Sequence, residues 1–417
     1  MYISVNDRPV DRSEPAEGKR GKVAPIVISL GFVSLLTDIS SESVAAILPL
    51  YLTSVVGLST VAYGFVDGLY QGISALVRIA AGWASDRGDH PKWVALFGYG
   101  LSAIARFGLL FAGGFAAITA VISADRIGKG IRTAPRDALI ASSTPSAHLG
   151  RAFGVHRTLD TIGAAVGPLL AFGILWAIPD GYTTVMVISL AFSLLGVALL
   201  GLLVPDHRPR AARAELGDAR RPFRWREVAD PRLTKLLTVA GGLGLLTIGD
   251  GFIYLALLDR GGFAAKWFPM MYVGTNIAYL ILAIPIGRIA DRVGRARVLV
   301  MGHIALLLTY ASAALPLTTA MAAVVPLVLL GTFYASTDGV IAAVAGRLVR
   351  PEVRASGIAC AQTVVALARL VASTGFGLLW YAMGPRAALV TVAGALVVAI
   401  PTAILFVRNL DGESDAD

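Results

Sequence analysis

Two carboxylic acids, Asp38 and Glu42, stand four residues apart inside a run of otherwise apolar and small residues covering about 24–53. On a helix that spacing puts both on one face. Two acids on one face repel each other, and apolar surroundings favour their neutral forms. That is the behaviour a proton-coupling carboxylate needs. A permanent partner such as a buried arginine would instead keep each acid ionised, and the spacing leaves both readings open. A second set is basic. Arg126 follows Asp125, and Lys129, Arg132 and Arg136 come after it at intervals of three and four, a stripe down one helix face. Asp137, and Arg157 with Asp160 three residues apart, stand ready to pair with that stripe. Arg132 and Arg136 are expected in such a lattice, and Arg126, deep in its run, in the wall of a cavity.

Asp67 and Asp250 also fall inside apolar runs, Asp250 between Gly249 and Gly251, where a helix can bend. Ionisable groups at membrane depth are costly and mark functional positions, so both join the cavity set. Tyr70, Gln71, Tyr254, Asn276 and Gln362 offer the rings and amides of a mixed polar and apolar pocket, with Tyr63, Tyr272, Tyr279 and Tyr334 as further wall candidates. Each of these suits interhelical packing equally well. Arg369 sits deep in another apolar run, and Arg78 and Arg106 are placed to snorkel or pair. No nucleophile, metal-ligand or cofactor constellation emerges, so neither an enzyme, a metal site nor a cofactor is expected. The single cysteine, Cys360, excludes an intrachain disulfide, and the five histidines show no ligand spacing.

The elements that must hold these groups are membrane helices. Hydrophobic residues make up 56% of the chain and charged ones 15%, with a mean hydropathy of +0.72. That leaves too little charge for the surface of a soluble protein of this length. The apolar runs, at about 24–53, 61–84, 93–113, 115–134, 151–178, 183–205, 233–258, 263–287, 297–317, 320–347, 355–382 and 386–408, match a hydrocarbon core about 30 Å thick. They predict an all-α integral membrane protein of about twelve transmembrane helices. Residues 1–23 read as a polar tail and not a signal peptide, 24–205 as a first six-helix bundle, 206–231 as a central loop, 232–408 as a second bundle and 409–417 as a closing tail. Lys and Arg collect in the N-terminal tail, the central loop and every second short loop, which predicts cytoplasmic termini. The net charge of +9 is then a topological signal with affinity for anionic lipid, not a nucleic-acid footprint.

The two halves repeat. Gly82-Trp-Ala-Ser-Asp86-Arg87 returns about 205 residues later as Gly287-Arg-Ile-Ala-Asp291-Arg292. Asp137-Ala-Leu-Ile-Ala returns as Asp338-Gly-Val-Ile-Ala, and Arg151-Ala-Phe-Gly154 as Arg354-Ala-Ser-Gly357. Parallel six-helix halves around a midplane cavity are a transporter architecture.

The paired Gly-x-x-x-Asp-Arg segments resemble the loop motif of the major facilitator superfamily, over essentially the whole chain. The second copy is the fuller one, with Gly294, Arg295 and Arg297, whereas Gly88-Asp89-His90-Pro91-Lys92 departs from the motif in the first. The resemblance implies that Gly82, Asp86, Arg87, Gly287, Asp291 and Arg292 belong to a gate, with Arg132, Arg136, Asp137, Arg157, Asp160 and Asp338 in its polar lattice. Arg126-Ile-Gly-Lys129-Gly130 and Gly163-Ala-Ala-Val-Gly167-Pro168 are similar to motifs of the twelve-helix drug:proton antiporter branch, although the Gly-Gly that follows there is replaced by Leu169-Leu170. Gly163, Gly167 and Pro168 also suit close helix packing. The resemblance implies a proton-coupled, alternating-access exporter of a small organic compound, monomeric, in a bacterial plasma membrane. Two other readings stand beside it: a symporter or importer of an anionic metabolite bound near Arg126, and a nontransporting membrane sensor. The central loop is too short for the signalling domain that a sensor needs.

Overall fold

A computed structural model describes residues 23–87, 90–145, 148–206, 230–261, 263–315, 320–349 and 354–407, without side chains for 78–87, 261, 320–322 and 354–356. Residues 1–22, most of the central loop and the last residues therefore lie outside the described residues, as do the side chains of Arg78, Asp86 and Arg87 and the surroundings of Gly82.

The described residues form helices and no strand. In chain order these are α1 (Pro25–Ala45), α2 (Thr60–Arg87), α3 (Pro91–Leu109), α4 (Gly114–Ser142), α5 (Leu149–Ala177) and α6 (Tyr182–Leu203), then α7 (Pro231–Gly244), α8 (Asp250–Gly261), α9 (Phe268–Val293), α10 (Arg295–Ala314), α11 (Ala320–Arg347) and α12 (Arg354–Val407). The 28 residues of α2 extend about 42 Å at 1.5 Å per residue, more than a hydrocarbon core. After α1 the chain continues through a short helical turn, Leu48–Leu50, and a π-helical turn, Tyr51–Val55, around Pro49. Asp230 caps α7, its carboxylate accepting from the Arg232 N–H at 2.6 Å, with Pro231 in the first turn. Gly294, at φ 113°, makes the tight α9–α10 turn, a conformation other residues rarely adopt.

Packing repeats between the halves. In the first, α1 packs on α5 and α6, and α4 on α2 and α3; in the second, α7 packs on α12, and α11 on α9 and α10. Among the described residues seven helical runs are long and apolar enough to cross a membrane, and three features lower that count against the sequence-based twelve. α4 is lowered in hydropathy by its charges. The expected seventh span is divided into α7 and α8, of 14 and 12 residues. The last two spans form one run, α12, broken at Gly384, whose φ of 79° and ψ of 167° are not helical.

The halves meet over one end of the bundle. α2 lies against α12, where a Cβ on Gly68 would stand 2.6 Å from the Leu370 carbonyl oxygen. Gly64 faces the Ser373 backbone and Gly377 faces Thr60, equally without room for a side chain. Thr60 Oγ1 donates to the Gly377 carbonyl at 3.1 Å. Phe252 of α8 packs its ring against Tyr63 of α2 and against Phe376 and Trp380 of α12. Phe172 and Trp176 of α5 meet Trp267, just before α9. Toward the other end, where the Arg-rich loops attach, α2 parts from α11 and α12 and leaves a cavity of about 330 Å³.

Candidate functional site: two polar clusters and a cavity between the halves

α1 brings Asp38 and Glu42 to the first cluster on a serine-rich helix whose Ser34, Thr37, Ser40, Ser41 and Ser43 are buried. α5 approaches α1 closely because it has glycine at the contact. A Cβ on Gly163 would stand 2.5 Å from the Leu35 carbonyl oxygen, and one on Gly167 2.8 Å from Glu42 Cβ. Pro168 is buried beside them. This approach brings the carboxyl groups of Asp38 and Asp160 within hydrogen-bonding reach of one another. Ionised carboxylates have no donor, so a hydrogen bond between two carboxyl groups requires one proton. Asp160 also faces Arg157 at 2.9 Å and Arg136 at 4.0 Å. Glu42 turns to α4 and meets Lys129 at 4.0 Å. The two acids of α1 thus share Lys129 as a nearby cation, in contact with Glu42, while Asp38 alone also meets an acid.

Arg136 anchors the end of this cluster. It donates to Asp137 at 3.0 Å, and to Ser34 Oγ at 3.4 Å, which in turn lies 2.9 Å from His156 Nε2. Arg132 is buried with its guanidinium 4.4 Å from the Tyr99 ring centroid.

Arg126 is not at a cavity surface. It is 3% exposed, bonds Asp125 through Nε at 2.9 Å and through Nη2, and covers the Tyr70 ring at 3.9 Å. Asp125 also accepts from Arg106 at 3.2 Å, and Arg106 donates to Ser41 Oγ at 2.9 Å. Asp125 and Arg106 carry this core; the sequence offers Asp125 only as the neighbour of Arg126 and leaves Arg106 to snorkel or pair, and it pairs. The signal for both is the one that marks Arg126, an ionisable side chain deep in an apolar run.

The second half is built differently. Between α7 and α8 the helix is interrupted at 245–249, and Tyr310 of α10 supplies partners there: its hydroxyl donates to the Leu246 carbonyl and accepts from the Ile248 N–H, both at 3.0 Å. Unwound backbone at membrane depth needs such partners. Asp250 opens α8 and accepts from the Tyr334 hydroxyl at 2.5 Å. Tyr254 donates to Thr275 at 2.8 Å and packs against Tyr272. Asp67 reaches across from α2 and accepts from Ser373 of α12 at 2.7 Å; it fills the space beside Gly249, which a Cβ there would need.

The cavity lies beside these groups. Its wall includes Gln71 and Ser74 of α2, Asp338 of α11, and Gln362, Thr363 and Arg369 of α12. The guanidinium of Arg369 lies 5.7 Å from the Tyr334 ring centroid, and its Nε is buried without a hydrogen-bond partner. Of the expected cavity residues, Gln71 and Gln362 line it, Asp67 and Asp250 sit beside it, and Tyr70 and Tyr254 are engaged in packing. Asn276 is exposed on α9 and does not line it. Asp338, expected in a gating lattice, is instead an exposed carboxylate in the cavity wall.

Around the second loop motif, Asp291 binds Arg295 at the start of α10 at 2.6 Å, and Arg292 is exposed. A Cβ on Gly287 would meet no atom within 4 Å, so no helix presses on that glycine.

A bundle of paired six-helix halves with buried carboxylates and an inter-half cavity is the architecture of a membrane carrier. The sequence profile of the Major Facilitator Superfamily matches residues 30–372 and 262–416, and the chain belongs to that family. It is therefore a multi-pass membrane protein of a transporter family. An uncharacterised transporter of this type from Methanocaldococcus jannaschii is 30% identical over 85% of this chain and 88% of its own length. An uncharacterised protein of Mycobacterium tuberculosis is 28% identical over 67% of this chain and 69% of its own. Among solved structures, a mutant of the nucleoside transporter NupG superposes with a TM-score of 0.77 at 16% identity, covering 92% of this chain and 100% of that one. A bacterial homologue of the human lysosomal transporter Spinster, inward-facing and unoccupied, gives 0.72 at 16% identity, over 94% and 98%. At such identities the likeness is one of fold.

Proposed function

We propose that the chain is a proton-coupled secondary transporter of about twelve membrane passes that moves a small organic substrate by alternating access across a bacterial plasma membrane. Its termini and central loop face the cytoplasm, as the placement of Lys and Arg argues. With the halves sealed at the opposite end and the cavity on the Arg-rich side, the conformation is inward-facing.

The observation that carries this reading is the Asp38–Asp160 contact. One proton held between the two acids neutralises half of a like-charge pair inside the bundle. On its release two carboxylates repel each other across the α1–α5 seam; Arg157 and Arg136 already face Asp160, and Lys129, beside Glu42 on the same side of α1, is the cation left to answer Asp38. Proton loss thereby changes which charges join α1, α4 and α5, the helices that hold the first half together. Export is the proposed direction, on the likeness of Arg126–Gly130 and Gly163–Pro168 to exporter motifs. A nontransporting sensor would need a signalling domain, for which the central loop at 206–231 is too short.

The test is proton movement in proteoliposomes under an imposed pH gradient, following internal pH as cationic, neutral and anionic compounds are added. The wild type is expected to couple flux to one compound class, with Asp38→Asn and Asp160→Asn each abolishing the coupling. Undiminished coupled flux in both variants would remove the pair from the mechanism.

A further inference from the structure

We propose that the cavity between α2, α11 and α12 takes a small zwitterion, its carboxylate on Arg369 and its ammonium on Asp338. This deepens the transport reading above and rests on it for the claim that what binds is also carried.

The case begins with a contrast among the deep arginines. Arg126 and Arg106 share the carboxylate of Asp125 and are buried with it. Arg136 has Asp137 and Asp160. Arg132 lies on the Tyr99 ring, 4% exposed and away from the cavity wall. Arg369 has no carboxylate in hydrogen-bond or ion-pair contact among the described residues. Its neighbours in contact are the faces of Phe333 and Tyr334, Asp250 and Asp338 act on it only at longer range, and its Nε is buried and unpartnered. A guanidinium presents five donors in a fixed fork suited to a carboxylate. Left without one in a low-dielectric wall it is costly, and a bound anion would supply the missing partner. The anion site expected at Arg126 thus has its chemistry at Arg369.

The same wall holds an opposite charge. Asp338 is exposed into the cavity and makes no hydrogen bond or ion pair among the described residues, although it and Arg369 line the same space. The two charges face one cavity without closing on each other. A simple anion would satisfy Arg369 but be repelled by Asp338, and a simple amine would meet the reverse. A molecule bearing both groups satisfies both walls. Gln71 and Gln362 add amides that both donate and accept, and Ile341, Val365 and Ala366 add apolar surface for a side chain. The volume of about 330 Å³ is at the low end for small-molecule sites, which favours a ligand of amino-acid size over a drug-sized one.

The test uses the purified full chain in detergent and a matched series on one carbon skeleton: L-phenylalanine, 3-phenylpropionate, phenethylamine and L-phenylalaninamide, with the corresponding leucine series. Binding is read by thermal shift and by equilibrium dialysis. In at least one series the zwitterion is expected to bind about tenfold or more tighter than its anion or amine. Asp338→Asn should erase that preference by bringing the zwitterion to the level of the anion. Arg369→Gln should remove binding of both, and Arg369→Lys should restore part of it, since the charge returns without the fork. Because a change at Arg369 can unsettle the fold, the Asp338→Asn preference ratio is the decisive reading. No preference for either zwitterion in the wild type, or a preference that survives Asp338→Asn, overturns the proposal. The two readings separate in liposomes. A zwitterion that binds in this manner but drives no flux leaves the site standing and sinks transport. Coupled flux with a compound that lacks one of the two charges, undisturbed by Arg369→Lys, does the opposite.

Discussion

The first half of the molecule spends its charges on itself, whereas the second keeps two of them open. Around α1, α4 and α5, Arg106, Arg126 and Arg136 each have a carboxylate while Arg132 lies on the Tyr99 ring, and glycines at 163 and 167 bring α5 close against α1. Around α8, α11 and α12 the wall is tyrosine and phenylalanine, one helix is interrupted, and Arg369 and Asp338 face a cavity unpaired. On the proposed reading the difference is a division of labour: the first half answers a proton within its charge lattice, and the second, with an interrupted helix and open charges, answers a ligand.

The largest effect expected from breaking this contrast is at Asp125. Asp125→Ala strips the carboxylate from both Arg106 and Arg126, and loss of one partner of a buried pair costs about 3–5 kcal/mol. Denaturation in detergent should show that loss, and a change within 1 kcal/mol would mean the lattice does not hold the first half together.

Next comes Gly163→Leu. Its side chain has no space against the Leu35 backbone, and overpacking of this kind costs about 1–3 kcal/mol. Because the substitution also separates Asp38 from Asp160, proton coupling should be lost even in the fraction that stays folded. Retained coupling with lowered stability would show that the carboxyl contact and the helix seam are independent.

How much of this was legible in the sequence follows from which signals are local. Membrane helices, the two halves and the candidate acids come from runs, repeats and spacings, all of which lie along the chain. Asp38 and Glu42 do share a helix, yet their chemistry is set by α5 and α4, and no spacing within α1 reveals that one meets Asp160 and the other Lys129. The same holds for Arg126 and Arg369. Both are arginines deep in apolar runs, and only the fold distinguishes the one in contact with a carboxylate from the one whose carboxylates stand farther off. The stripe Gly64, Gly68 and Gly72 on α2 is plain in the sequence at four-residue spacing, but its use as the seam with α12 depends on a contact about three hundred residues away in the chain.

In the second half the corresponding test is Tyr310→Phe, which deletes the hydroxyl that serves Leu246 and Ile248. Leaving those backbone groups without partners costs about 1–3 kcal/mol. The readout is amide exchange confined to 245–249, which should accelerate while α1 and α5 remain protected. Uniform acceleration would mean that the two halves do not differ in local stability.

The smallest change is expected from Asp291→Asn. Its partner Arg295 is one residue from the α9–α10 turn, and the carboxylate is more than half exposed. Such pairs contribute about 0–1 kcal/mol, so thermal stability should hardly move. A large loss would give the exposed pair a weight that the geometry does not.

The seal between the halves is made of glycine against backbone, interlocked rings and hydroxyl hydrogen bonds, and none of the contacts described there is an ion pair. Screening by salt acts on charges and leaves such contacts untouched. The side of the protein turned away from its own Arg-rich loops is therefore held by contacts of the same firmness in dilute or concentrated electrolyte.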